Sequence, residues 1–359
     1  MKTVSVNIDL NGTFIIPNTI KPDWNIKLKQ RIRSIILNNA GNIRLVLHLN
    51  KEHYDWAVID SYYIPEINKI MGDELIADYH YVFNIPKPYK NSNKITYVDY
   101  FAMQTYRLVI EKNHPYNTQW NSDSDKGLFL IGKPNKMNRL PILYELYKKD
   151  LLDKFEWSLH LNDDVISSIK KSNILDIPEN ELTTFLEACA RNSPDSAKVE
   201  FRGSNEDVSV HYSGFPFDAD MYKNTLFSLI AETEFNEFGD IFITEKTWRA
   251  IVNKHPFIMT STVNSLKYLK SLGFRTFENY LPVSNYDSIV DTQERLNAIY
   301  SNLDSFFSKE NIEQINEDVE YNFQHFAKFA LGEFSKLEQL YDSNQYELAR
   351  FLIDYHGYK

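Results

Sequence analysis

Residues 226–260 read LFSLIAETEFNEFGDIFITEKTWRAIVNKHPFIMT, and this stretch decides the fold. Leu226 to Ala231 is a short apolar run, overlapped by a helical pattern near Tyr222 to Leu229, and Asp240 to Thr244 is a second short segment. Helical spacing then runs from Glu245 to Asn253, and Pro256 to Thr260 is strand-like again. A strand, a helix and a strand joined by so short a crossover pair in parallel. The class expected from this unit is α/β.

The same alternation extends outward. Upstream, Gly127 to Gly132 reads as a strand, followed by an amphipathic helix through Arg139, Leu143, Leu146 and Tyr147, with Trp157 to Leu161 as the next strand. At the start of the chain, Thr3 to Leu10 alternates like a strand. Asp23 is placed to cap a helix whose apolar positions Trp24, Leu28, Ile32, Ile35 and Ile36 recur at helical spacing, and Ile43 to Leu49 reads as a buried strand. A helical run covers Thr96 to Lys112. Beyond Asn311 the pattern is helical to the end, with Leu337, Leu340, Tyr341, Leu348, Phe351 and Leu352 on one face.

With 359 residues the chain exceeds one core of ordinary size, so two domains are expected. The polar, turn-rich stretch NTQWNSDSDK, residues 117–126, is the boundary signal. It divides an N-terminal domain, 1–125, from a C-terminal one, 126–334, with a helix at 335–359 expected to pack back on the first. Acidic residues (49) outnumber basic ones (39), for a net charge of −10. A protein that holds DNA mainly by neutralising phosphate carries a basic surplus or a basic block, and neither is present. A local basic groove of Lys126, Lys133, Lys136 and Arg139 keeps nucleic acid open as a partner. The single cysteine, Cys189, excludes an internal disulfide and a multi-cysteine metal site. The N-terminal residues lack the apolar run of a signal peptide, and no stretch approaches the ~18 apolar residues of a membrane span. A cytoplasmic setting is the expectation.

The chemistry centres on Thr244-Glu245-Lys246. Thr244 precedes a helical pattern, where its hydroxyl can cap the first turn. The amides of such a turn attract anions, Lys246 adds a full positive charge, and Glu245 offers a carboxylate for two sugar hydroxyls. One helix start thus has the groups to hold a nucleotide's ribose and phosphates. Taken alone, the same residues also describe an ordinary capped helix.

The context narrows that choice. Ser228-Leu229-Ile230-Ala231-Glu232-Thr233, then Phe242-Ile243-Thr244-Glu245-Lys246-Thr247-Trp248, then Lys254-His255-Pro256-Phe257-Ile258 resembles the donor-binding half of the family 10 fucosyltransferases. It resembles still more the related glycosyltransferases encoded by large phages, as does the segment from Leu266 to Phe277 followed by Tyr286-Asp287 and Arg295. Upstream, Ile131 to Arg139 resembles the strand and loop that open their second domain. The resemblance covers residues 127–295 and implies a GT-B fold, two Rossmann-like domains facing a central cleft, with a nucleotide diphosphate sugar bound by the C-terminal domain. It implies Arg139 beside the diphosphate and Lys246 at the phosphates, with Lys133 and Thr244 also among the donor-binding residues. Glu245 would hold the ribose, and Glu232 would face the transferred sugar or orient its neighbours. In a host cell, a phage protein of this kind would be cytoplasmic, and one acceptor would be a hydroxymethylated base in phage DNA, with a glycan or protein as the rival. Phe242 stands where the fucosyltransferases carry a tyrosine, so GDP-fucose is not carried over as donor.

The resemblance stops short of the catalytic base, for which Asp9, His48, His53, Asp78 and His80 are the candidates. Asp9 follows a strand, where ligands of α/β domains gather. It is also what a loop aspartate capping its own turn would be, and His80 between two tyrosines suits packing. Asp218-Ala219-Asp220 has a metal-binding form but sits before a helix, where aspartates cap. Asp163-Asp164 reads as a turn or cap, His255 as a strand-entry residue and Trp248 as core. No phosphate-loop, dinucleotide or metal-type histidine motif occurs, and no cofactor or divalent metal is expected. A non-catalytic module that binds a nucleotide or glycan is the alternative to a transferase.

Overall fold

Short apolar runs separated by amphipathic helices pair in parallel throughout the computed structural model. It describes residues 2–9, 24–38, 43–50, 63–74, 78–83, 95–111, 116–131, 134, 136–159, 163–172, 174–192, 219–237, 241–303 and 311–341. The chain divides into two compact units, Met1–Gln104 with Ala330–Lys359, and Thr105–Phe329. No helix among the described residues is long and apolar enough to cross a membrane.

The first unit begins with β1 (Lys2–Asp9), α1 (Trp24–Asn38), β2 (Ile43–Asn50) and α2 (Ile64–Asp73), followed by β3 (Tyr79–Phe83) and β4 (Ile95–Tyr97). The four strands are parallel in the order β1-β2-β3-β4. Leu45, Val46 and Leu47 are all fully buried, as a parallel strand covered on both faces requires. Helix α1 buries Leu28 and Ile32 and is tied to the end of α2 by Lys29–Asp73 at 2.7 Å and Arg33–Glu74 at 2.8 Å.

The helix expected from Thr96 starts later. Thr96 and Tyr97 belong to β4, where Tyr97 stacks on Phe83 and Thr96 Oγ1 meets His80 Nε2. Helix α3 (Tyr100–Tyr106) opens instead behind Asp99, whose Oδ1 accepts the Ala102 amide at 2.8 Å, and continues as a π-helical segment over Arg107–Glu111.

The second unit contains β5 (Gly127–Ile131), α4 (Leu140–Lys148), β6 (Phe155–Leu159), α5 (Asp163–Ser172), α6 (Glu179–Asn192) and α7 (Ala219–Lys223). It continues with β7 (Phe227–Ala231), α8 (Glu245–Val252), β8 (Phe257–Thr260), α9 (Ser265–Ser271) and α10 (Thr292–Leu303). Helix α11 (Ile312–Glu338) begins in this unit and runs past its limit. Gly127 is where β5 passes the edge-to-face rings of Phe155 and Phe227: a Cβ there would stand 2.5 Å from one and 2.9 Å from the other.

Three expectations change here. The helix near Tyr222 to Leu229 ends at Lys223, and residues 227–231 are strand β7. All five of those residues are buried, and a short run with no polar face cannot be assigned by periodicity. The stretch 117–126 lies inside the second unit, because its polar side chains bond to it. Trp120 Nε1 donates to Leu226 O at 2.7 Å, Asn121 Nδ2 to Lys223 O at 3.0 Å, and Asn117 Nδ2 to Asn253 O at 3.3 Å. The helical pattern after Asn311 is helix to Glu338, and residues 342–359 lie outside the described residues.

Strand order in the second sheet is β6-β5-β7-β8, all parallel. The chain leaves β5 toward β6, then returns to the other side of β5 to lay down β7 and β8. Open parallel sheets form their ligand crevice at such a reversal, outside the carboxyl ends of the strands. Among the described strands of the first unit the order never reverses.

Candidate functional site

From the carboxyl ends of β5 and β7 lead two loops that carry residues singled out by sequence. After β5 the chain passes Lys136, Met137 and Asn138 to Arg139, the residue that precedes α4. Arg139 is buried, and its carbonyl accepts the Leu143 amide of the first turn. Directly after the last residue of β7 comes Glu232, fully buried, whose amide donates to Thr260 O at the end of β8.

Glu232 organises the start of α8. Its Oε1 accepts the Thr244 amide at 3.1 Å and the Thr247 hydroxyl at 2.6 Å, and its Oε2 accepts the Thr244 hydroxyl. The expected capping by Thr244 is thereby corrected: its backbone is extended, as at an N-cap, but its hydroxyl makes no cap bond to the helix. The hydroxyl donates its proton to the buried carboxylate, and its oxygen accepts from Lys246 Nζ at 3.1 Å in place of an amide of the turn. The negative charge of the carboxylate also stands against the positive end of the helix. Glu232, in this geometry, orients its neighbours.

Glu245 and Lys246 are paired on the first turn, Lys246 Nζ donating to Glu245 Oε1 at 2.9 Å and to Thr244 Oγ1 at 3.1 Å. Burial raises the Glu245 carboxyl, but the Lys246 ammonium and Arg249 guanidinium outweigh it and hold the group below the usual carboxylate range. Arg249 was not singled out by sequence, although Glu245, Lys246 and Arg249 lie three and four apart on one helix face, a signal present in the sequence. Lys246 and Arg249 line a pocket against β5 and β7, whose other walls include Leu130, Ile230, Ala231 and Tyr222.

Asn138 is a second residue that sequence reasoning passed over. Fully buried, it bridges the ends of β7 and β8 through Nδ2, which donates to Glu232 O at 2.9 Å and Thr260 O at 3.0 Å. No linear motif announces such a bridge, because its partners lie far along the chain.

The remaining candidates do not gather here. His255 is buried at the start of β8, with Nε2 donating to Thr225 O at 2.8 Å, so that Nδ1 accepts from the Ser228 hydroxyl at 2.7 Å. Burial pushes its pKa down to about 4, and it is a packed, neutral histidine. Trp248 is core, packed among the rings of Phe274, Phe326 and Phe329. Asp220 is exposed on α7, Asp163 opens α5, and among the described residues no three His, Cys, Asp or Glu side chains gather as a metal site would.

Of the base candidates, Asp78 lies just before β3, at the amino end of the sheet, and is engaged by Arg44 Nε at 2.9 Å. His80, also near that end of β3, bonds Thr96 Oγ1 at 2.8 Å. Asp9 ends β1 opposite Asn50, and His48 lies in β2 opposite Asn7. The side chains of Asp9 and His48 lie outside the described residues, as do Lys133, His53, Asp218 and Asp23. No protein-family model matches the chain, and no curated protein matches it in sequence.

Proposed function

We propose that the protein is a glycosyltransferase of GT-B type that moves a sugar from a nucleoside diphosphate sugar to an acceptor hydroxyl. The observation that carries the reading is the reversal of strand order between β5 and β7, with Arg139 after one strand and the Glu232-ordered helix start after the other. Open parallel sheets bind ligands at such a reversal. A cation at the amino end of α4 stands against the helix dipole by a few tenths to about 1 kcal/mol, a cost that a bound diphosphate offsets.

In this reading Lys246 and Arg249 meet the phosphates on the other side of the crevice. Glu245, held ionised, accepts hydrogen bonds from ribose hydroxyls. The bond between the anomeric carbon and the phosphate oxygen breaks, and the departing diphosphate is stabilised by Arg139, Lys246 and Arg249. A bond forms to the acceptor oxygen, whose proton passes to a general base. The chemistry requires no cofactor. The acceptor is assigned only by class, a hydroxyl on a hydroxymethylated DNA base or on a glycan or protein.

Mass spectrometry after incubation with a panel of nucleotide-sugars tests the reading. Slow release of nucleoside diphosphate without acceptor is expected of an enzyme, whereas a module that only binds releases none. Lys246→Ala and Arg139→Ala should each weaken nucleotide binding and abolish transfer, and wild-type activity in either would sink the assignment. A binding module remains the second reading, because Asp78 and His80 are engaged by Arg44 and Thr96 at the amino end of their strand.

A further inference from the structure

The run Lys136-Met137-Asn138-Arg139 is tied across the sheet at two points. Asn138 Nδ2 bridges the carbonyls of Glu232 and Thr260 at 2.9 and 3.0 Å. Lys136 Nζ donates to the Thr233 carbonyl at 2.5 Å and stands 3.8 Å from the Glu234 carboxylate. Both straps land on residues that immediately follow β7. A third contact, Lys136 O accepting the Arg139 amide at 3.0 Å, closes the run into a turn, so that whatever fixes Lys136 and Asn138 also fixes Arg139.

Asn138 is kept at a cost. Its Oδ1 is buried and, among the described residues, has no hydrogen-bond partner. An apolar side chain of the same size would remove that unpaired acceptor, but would also remove the bridge. Departures from full polar satisfaction mark places where function overrides local stability.

Resting on the donor-site reading above, we propose that Asn138 and Lys136 are positioning residues for the nucleoside diphosphate. They hold the β5–α4 loop to the ends of β7 and β8, and so hold Arg139 at a constant separation from Lys246 and Arg249. A diphosphate that meets cations on both loops depends on that separation, and a small displacement of one loop costs affinity steeply.

The test is calorimetric titration with UDP, GDP, ADP, CDP and dTDP, alongside denaturation midpoints, for wild type, Asn138→Leu and Lys136→Met. Ile299→Val, at a fully buried position of α10, serves as a control for general destabilisation. Asn138→Leu and Lys136→Met are expected to weaken the nucleotide's binding about tenfold or more, while Ile299→Val lowers the midpoint without changing affinity. Wild-type affinity in both variants, with only a lower midpoint, would overturn the inference and leave the donor-site reading standing. If Asn138→Leu does not fold, Lys136→Met decides by the same criterion. If wild type binds none of the five nucleotides, the donor-site reading falls and the inference with it.

Discussion

Replacing Glu232 separates two roles for a buried carboxylate, contact with a ligand and support of a helix start. In the wild type it accepts three protons, from the Thr244 amide, the Thr244 hydroxyl and the Thr247 hydroxyl, and it is fully buried. Glu232→Ala leaves these donors without their acceptor. An unsatisfied buried donor costs about 1–3 kcal/mol, and hydroxyls recover part of this by rotating, so the sum is about 3–5 kcal/mol. Against a typical total stability of roughly 5–15 kcal/mol this is a large loss. Glu232→Gln keeps one oxygen for the amide and the Thr247 hydroxyl, and its Nε2 can donate to Thr244 Oγ1 once that hydroxyl turns. It exchanges charge-assisted bonds for neutral ones and should lose about 1–2 kcal/mol. Denaturant midpoints followed by tryptophan fluorescence measure both values, with nucleotide affinity measured alongside. Glu232→Gln should keep its affinity within about threefold, since less than 1 kcal/mol of binding is at stake when the support survives. Glu232→Gln with wild-type stability but no binding or transfer would refute the supporting role, and Glu232→Ala within about 1 kcal/mol of wild type would refute the network itself.

His255 gives a pH dependence. Its folded pKa is lowered to about 4 from an unfolded value near 6.5, so its contribution is fully present above about pH 6.5 and is lost as pH falls through 4. The shift corresponds to about 3 kcal/mol, and the wild type should lose that much more than His255→Gln between those limits. Parallel stability–pH curves for the two proteins would contradict the assignment. Gly127→Ala drives a methyl into the rings of Phe155 and Phe227 and should cost about 1–3 kcal/mol, read as a lower thermal midpoint; an unchanged midpoint would show that the rings move freely.

The sequence was most informative where local rules and burial agree. The strand at Gly127, the helices at Leu140 and Glu245 and the strand before Thr260 were legible because each has its period or its breaker within a few residues. So was the cluster Thr244-Glu245-Lys246, a set of charges at a helix start. Strand β7 was legible as an apolar run but not as a strand, since a buried segment carries no polar face to reveal its period. The stretch 117–126 read as a linker because polar side chains look alike whether they face water or, like Trp120 and Asn117, replace secondary structure with long-range bonds.

The role of Thr244 was decided by a residue that precedes it by a whole loop. Its hydroxyl was free, on sequence alone, to cap its own helix, and only the fold brings the Glu232 carboxylate within reach of it. The bridge by Asn138 and the placing of Arg139 beside the reversal of strand order follow the same logic. Residue types and their periods set which elements form and what charges they carry. Which of those charges share a crevice depends on strand order, and strand order is settled by contacts between segments far apart in the chain, which no local pattern records.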